Sequence, residues 1–259
     1  MNLDTRAILA LLAVCTLLGA ARPAAAQPVS PYRRYNSSLF LHDDFKLSIQ
    51  KQWRASEPVA VRTTGAYPQP SSSSAESPTV SPMLLPLSVS SFRTVGNPVM
   101  PKRLAASVTE LDADHRQELE EALLGLLKSY EQLLDRNDEQ RLKNNLAGAF
   151  NFLFMSSYAA LKNGQELSAG QQANLLEQIN ASIAMGLKER RLSDREKQEL
   201  YESAVLSGSI IRGLYNEGRD KGRPEQLKLA RELAAELLEQ LMGITPDKVR
   251  VDGNAVRVD

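Results

Sequence analysis

The stretch NNLAGAFNFLFMSSYAAL, Asn144 to Leu161, decides the fold class. It is apolar on nearly every side of a helix, which suits a central helix surrounded by others rather than one facing water. Gly148, flanked by Ala147 and Ala149, permits close backbone approach, and Asn163 with Gly164 supplies a stop. The spacing predicts this central helix over about Glu139 to Leu161.

On either side the chain repeats the helical period. Within Asp112 to Arg136, Leu119, Leu123, Leu126, Leu127, Tyr130, Leu133 and Leu134 form one apolar stripe. A third helix starts at Ser168 with Gln171 three residues on, and carries Leu175, Leu176, Ile179, Ile183 and Leu187. A fourth starts at Ser193 with Glu196, again a capping-box pattern. Its apolar face uses Leu200, Ala204, Leu206, Ile210, Ile211 and Leu214. Pro224 opens a fifth, and Gly243 closes it. After Pro246 the period becomes two: Val249 and Val251, the turn Asp252-Gly253-Asn254, then Val256 and Val258 predict a hairpin over 249–258. A lone hairpin is marginal in water, so its valine face is expected to pack on the helices or on a partner. The fold class is therefore mainly α: a five-helix antiparallel bundle-like domain over 104–259, ending in a small β-hairpin.

Upstream the composition changes. Ten prolines fall between Pro28 and Pro101, and Ser71 to Ser74 read SSSS. Such a segment buries too little apolar surface to offset its ordering entropy. It predicts a mostly disordered arm over 27–103, with a possible short helix at 43–54 that carries Trp53. Before it, AILALLAVCTLLGAA runs from Ala7 to Ala21, and Ala24 to Ala26 supply small residues. This predicts a signal peptide over 1–26, cleaved after Ala26. The run is shorter than the roughly 18 to 20 apolar residues of a membrane span, so no transmembrane anchor is expected after signal removal. Cys15 lies inside the apolar run behind Val14, which disfavours lipidation, and its loss with the signal leaves no thiol for a disulfide. The expected location is exported, periplasmic or extracellular.

Charge and inventory exclude several functions. The 259 residues carry 31 basic and 31 acidic side chains, and basic stripes interleaved with aromatics are missing, so nucleic acid is not an expected partner. His42 and His115 are the 2 histidines and belong to no H-E-x-x-H, so neither a metal site nor a cofactor is expected. Asp112 and Asp114 read as a solvated helix start without an EF-hand pattern. There is no G-x-S-x-G, and Gly208 and Gly213 around Ser209 and Arg212 follow no strand, so neither a serine nucleophile nor a phosphate loop is read.

The phrases Asn144 to Leu161, SDREKQELYE at Ser193 to Glu202, and ARELAAELLEQLMGITPDKVRV at Ala230 to Val251, taken in that order, resemble an uncharacterised bacterial family of exported, mostly helical proteins carrying a domain of unknown function. The resemblance runs from about Leu104 to Val258 and implies location and fold. It brings no catalytic residues with it.

Two functional readings follow. The first is a protein-interaction or structural module of the bacterial cell envelope, whose partner is an envelope or secreted protein. Its candidate polar groove is Asn144, Asn151, Tyr158 and Arg212, polar groups on or facing the most apolar helix, although Asn151 and Tyr158 can also satisfy one another inside the core. The second is a cell-wall-directed glycan hydrolase or lytic enzyme using a helix-borne Glu199 or Glu202 beside Tyr201, with a carboxyl raised by burial.

Overall fold

The computed structural model describes residues 85–108, 111–253 and 255–258. Residues 1–26, read as a signal peptide, the possible helix at 43–54 and Trp53 lie outside the described residues. Within them the chain is a mainly helical bundle that ends in a two-stranded antiparallel hairpin. Its α-helices are α1 (Met100–Ser107), α2 (Ala113–Arg136), α3 (Leu146–Leu161), α4 (Ala169–Glu189), α5 (Asp194–Asp220) and α6 (Pro224–Leu237). The hairpin strands are β1 (Val249–Asp252) and β2 (Ala255–Val258).

The five helices read from periodicity are α2 to α6, and the local signals that place their ends are in use. Ser168 and Ser193 each close a capping box with Gln171 and Glu196. Asn163 and Gly164 after α3 take left-handed backbone, with φ of 55° and 88°. Two boundaries differ from the periodicity. Before α3 the chain makes a short 3-10 turn, Gln140–Leu142, then a left-handed Asn144 at φ 51°, and the helix starts only after Asn145. The cause is the Asn145 side chain, which accepts from the Gly148 N–H at 3.0 Å and ends the helix there as a cap. After α6 the chain widens into a π-helical turn, Leu238–Met242, before Gly243 at φ 67°. That turn places Leu238, Leu241 and Met242 together in the core.

The helix α3 is the centre, packing on α4, α5 and α6. Neighbouring pairs fix the directions. Gly208 of α5 abuts Phe152 and Leu153, and Gly164 beyond α3 abuts Tyr215, so α3 and α5 run parallel. Asn145 at the start of α3 and Asn180 near the middle of α4 meet through Ser90, on the side of α3 where α4 packs. Gly218 against Leu227 marks the reversal from α5 into α6. The core includes Phe150, Leu153, Phe154, Leu175, Ile183, Leu206, Ile211 and Leu237, all buried. The hairpin's valine face packs as expected: Val249 and Val256 are buried, β2 rests on α4, and Gln171 Nε2 donates to Gly253 O at 2.6 Å.

The bundle takes in residues upstream of 104, the boundary read from the sequence. A 3-10 turn, Leu87–Ser90, and α1 occupy the end of the Pro/Ser-rich region, and Ser90, Phe92 and Met100 are buried in the bundle. Segment 85–108 crosses the bundle surface as a strap.

The start of α2 gives a local test. Asp112 accepts from the His115 N–H at 2.9 Å and lies 2.7 Å from His115 Nδ1. The backbone bond, then the side-chain bond, holds the Asp112 carboxyl below its ordinary 3.8, and the Asp112 side chain raises His115 above its ordinary 6.5. Linkage then gives two opposite limits. The Asp112 contribution is present above 3.8 and lost as pH falls through the lower folded value. The His115 contribution is complete below 6.5 and lost as pH rises through the higher folded value. The cap is thus strongest between the two. An NMR titration of the native protein should place the His115 midpoint above 6.5, and Asp112→Asn should return it toward that value.

Candidate functional site

The densest set of buried polar contacts lies under the strap, where side chains of α3, α4 and α5 grip main chain. Asn145 is its hub. While its Oδ1 caps α3, its Nδ2 donates to Leu87 O at 2.8 Å and Ser91 Oγ at 3.0 Å. The Ser90 hydroxyl donates to Asn180 Oδ1 at 2.7 Å and has Asn145 Oδ1 at 3.1 Å. Asn180 Nδ2 in turn donates to Leu85 O at 2.9 Å. Phe92 N donates to Asn144 O at 3.0 Å, beside an antiparallel bridge between Ser91 and Asn145. Buried amides bonded to the strap's carbonyls and to its serine hydroxyls specify one path for it.

Further along, α5 takes over. Gln198 Oε1 accepts from Val95 N at 2.6 Å, and Gln198 Nε2 donates to Glu202 Oε1 at 2.7 Å. The other Glu202 oxygen accepts from Val99 N and Met100 N, each at 2.9 Å. These are the free N–H groups at the start of α1, so a buried carboxylate, 2% exposed, serves as that helix's cap from a hundred residues away in the chain. Arg103 of α1 reaches Glu199 Oε2 at 2.7 Å, and Arg195 approaches its other oxygen at 3.4 Å. Arg195 also donates to Val95 O at 2.6 Å.

Beneath the strap lies an aromatic cluster. Phe92 meets Tyr201 edge-on at 5.4 Å between ring centroids, Tyr201 meets Tyr130 at 6.1 Å, and Tyr130 meets Phe152 at 4.8 Å. Among the described residues the buried Tyr130 hydroxyl has no hydrogen-bond partner, and the Tyr201 hydroxyl has none beyond the nearby Asn144 backbone, which holds its phenol down in part. Burial pushes both phenols well above the usual range. At Tyr130 the neighbouring Tyr201 and Glu139 add to this, and at Tyr201 Glu131 and Glu202 do.

The residues read as a polar groove are dispersed by comparison. Asn144 precedes α3 and contributes its carbonyl to the strap. Asn151 and Tyr158 are buried on α3, and among the described residues the Asn151 Oδ1 has no partner and no hydrogen bond joins the two. Tyr158 stacks on Phe154 at 6.3 Å, and burial raises its phenol. Arg212 is half-buried on α5. Among the described residues no hydrogen bond or ion pair gathers these four into one site. Glu199 and Glu202, the acid candidates, are held in the strap contacts instead. Sequence reading missed Ser90, Asn180 and Gln198 as strap anchors. The available signal was the apolar run MLLPLSVSSF, Met83 to Phe92, inside a Pro/Ser-rich region.

Among the described residues no group of three His, Cys, Asp or Glu is placed to hold a metal ion, and no helix is long and apolar enough to cross a membrane. Fold and site define a helical bundle whose own N-terminal strap is gripped by side chains of three helices. The chain belongs to the family of unknown function (DUF6683), which it matches over residues 4–259, and so beyond the helical part that carried the resemblance. No curated protein and no solved structure matches it.

If Glu202 is a cap, its removal leaves two N–H groups and the Gln198 amide short of a partner. Glu202→Ala is expected to lower stability by about 2–4 kcal/mol in urea unfolding, and Glu202→Gln by less. The two phenols give a second test. A group whose folded value is raised adds stability that is complete below its unfolded value, here 10.0, and is lost as pH rises above it. In a spectrophotometric titration, Tyr130 and Tyr201 should ionise only as the protein unfolds, and Tyr130→Phe with Tyr201→Phe should remove that step.

Proposed function

We propose that the protein is an interaction or structural module of the bacterial cell envelope, exported by residues 1–26 and partnered by another envelope or secreted protein. The observation that carries this is the strap site, where amides and a carboxylate of the bundle hold the main chain of a segment made of a 3-10 turn, a link and a helix start. Recognition of main chain by side-chain caps is a binding chemistry, and it requires no reacting group. The engagement of Glu199 by two arginines and of Glu202 by backbone N–H groups favours this reading over glycan hydrolysis, which needs a carboxyl free to meet the glycosidic oxygen.

The test is native mass spectrometry of the protein isolated gently from its own envelope fraction. The expected species begins at Gln27 and carries a reproducible additional protein mass. A chain that keeps Met1 to Ala26 would overturn export. A bare monomer that releases fragments from purified cell wall would overturn the interaction reading in favour of hydrolysis.

A further inference from the structure

One side of α5 changes character along its length. Over the first half Arg195, Gln198, Glu199 and Glu202 are engaged by the strap and by Arg103. Seven-residue steps from Glu202 to Ser209 to Asn216 continue that side into the second half. There Ser209, Arg212, Gly213 and Asn216 share one face, with Ser209 at its buried edge and the other three half-buried. Every other half-buried arginine among the described residues has an acceptor: Arg103 and Arg195 on Glu199, Arg116 on Val108 O, Arg190 on Glu196 and Arg231 on Asn163. Arg212 has none among the described residues, and neither the Ser209 hydroxyl nor the Asn216 amide has a partner there. Its own helix supplies no counter-charge. Gly208 to Asn216 contain no acidic residue, and the charges that follow are paired with one another, Arg219 with Asp220 and Glu217 with Lys221 and Arg223.

We propose that Arg212, with the Ser209 hydroxyl and the Asn216 amide beside it, receives a carboxylate of the partner protein, an aspartate or glutamate side chain on its surface. A guanidinium drawn partly out of water without an acceptor costs free energy, which a carboxylate offsets. Its planar fork holds a carboxylate through two parallel bonds, and the hydroxyl and amide can donate to the same oxygens. A lone cation matches the single charge of a carboxylate better than the higher charge of a phosphate. Gly213 leaves open space where a Cβ would stand, so the incoming group can approach the helix backbone. An open helix face suits a group carried on a protein surface, whereas a free small molecule is ordinarily enclosed. The inference rests on the interaction reading and adds to it the chemistry that the partner presents.

The experiment follows the arginine Nε–Hε signals of the full chain by NMR while acetate, and separately inorganic phosphate, replaces chloride at constant ionic strength. The Arg212 signal, assigned by its loss in Arg212→Lys, is expected to shift and saturate with acetate, at a lower concentration than with phosphate. The exposed Arg93 and Arg191 should drift without saturating. An Arg212 response no different from theirs would overturn the site, and saturation at lower phosphate than acetate would overturn the carboxylate in favour of a phosphate-bearing surface. Since Arg212 has no acceptor in the fold, Arg212→Gln is expected to leave the urea midpoint unchanged, and a lowered midpoint would assign the side chain to the bundle instead. Isolated from the envelope fraction, the Arg212→Gln chain should lose the additional protein mass that the natural chain carries. Mass kept by both chains would overturn this inference and leave the interaction reading standing. Mass on neither would count against that reading, and the acetate titration would then decide the anion site by itself.

Discussion

The approach of α5 to α3 at Gly208 is the constraint on which the rest depends. A Cβ at that position would stand 2.9 Å from two carbons of the Phe152 ring and 3.2 Å from the Leu153 Cα. Real side chains do not pack so closely, and a backbone contact of this kind needs glycine. With the two helices this near, Phe152 is pressed toward Tyr130, and α3 is enclosed on several sides by α4, α5 and α6. Ala147, Ala149 and Ala160 of α3 are completely buried. Gly148 has a different role from the one its flanks suggest, since a Cβ there would stand 2.8 Å from the Leu142 Cβ in the turn before α3.

Polar side chains then decide how the apolar bundle is closed. Asn145 caps α3 and holds the strap, Asn180 and Ser90 complete the contact, and Glu202 caps a helix formed by distant sequence. Each such bond contributes modestly relative to water, but leaving one partner buried and unpaired costs more. The arrangement therefore specifies the path of the strap more than it adds stability. The carboxylates that sequence patterning marks as possible acids are the ones used for this closure. A buried glutamate on a helix has the same appearance in sequence whether it meets a substrate or a helix start.

Local sequence accounts for much of the fold. The stripes of α2, α4, α5 and α6, the capping boxes at Ser168 and Ser193, the stop at Asn163-Gly164 and the Asp252-Gly253 turn all act through residues within a few positions of one another. They were legible for that reason. The start of α3 was not, because Glu139 to Lys143 are ordinary helix-compatible residues, and only the Asn145 cap and left-handed Asn144 exclude them from the helix. The strap was not legible either, because proline and serine conceal a segment whose order comes from partners outside it.

What the sequence alone determined is the set of helices, their ends and the valine hairpin, since periodicity and capping are interactions of short range. What only the tertiary structure decided is the parallel pairing of α3 with α5, the strap and the work of Glu202. Glu202 and Met100, or Ser90 and Asn180, are joined by hydrogen bonds across about a hundred residues of chain. No local pattern encodes such a pair, because its partners become neighbours only when helix packing brings them together.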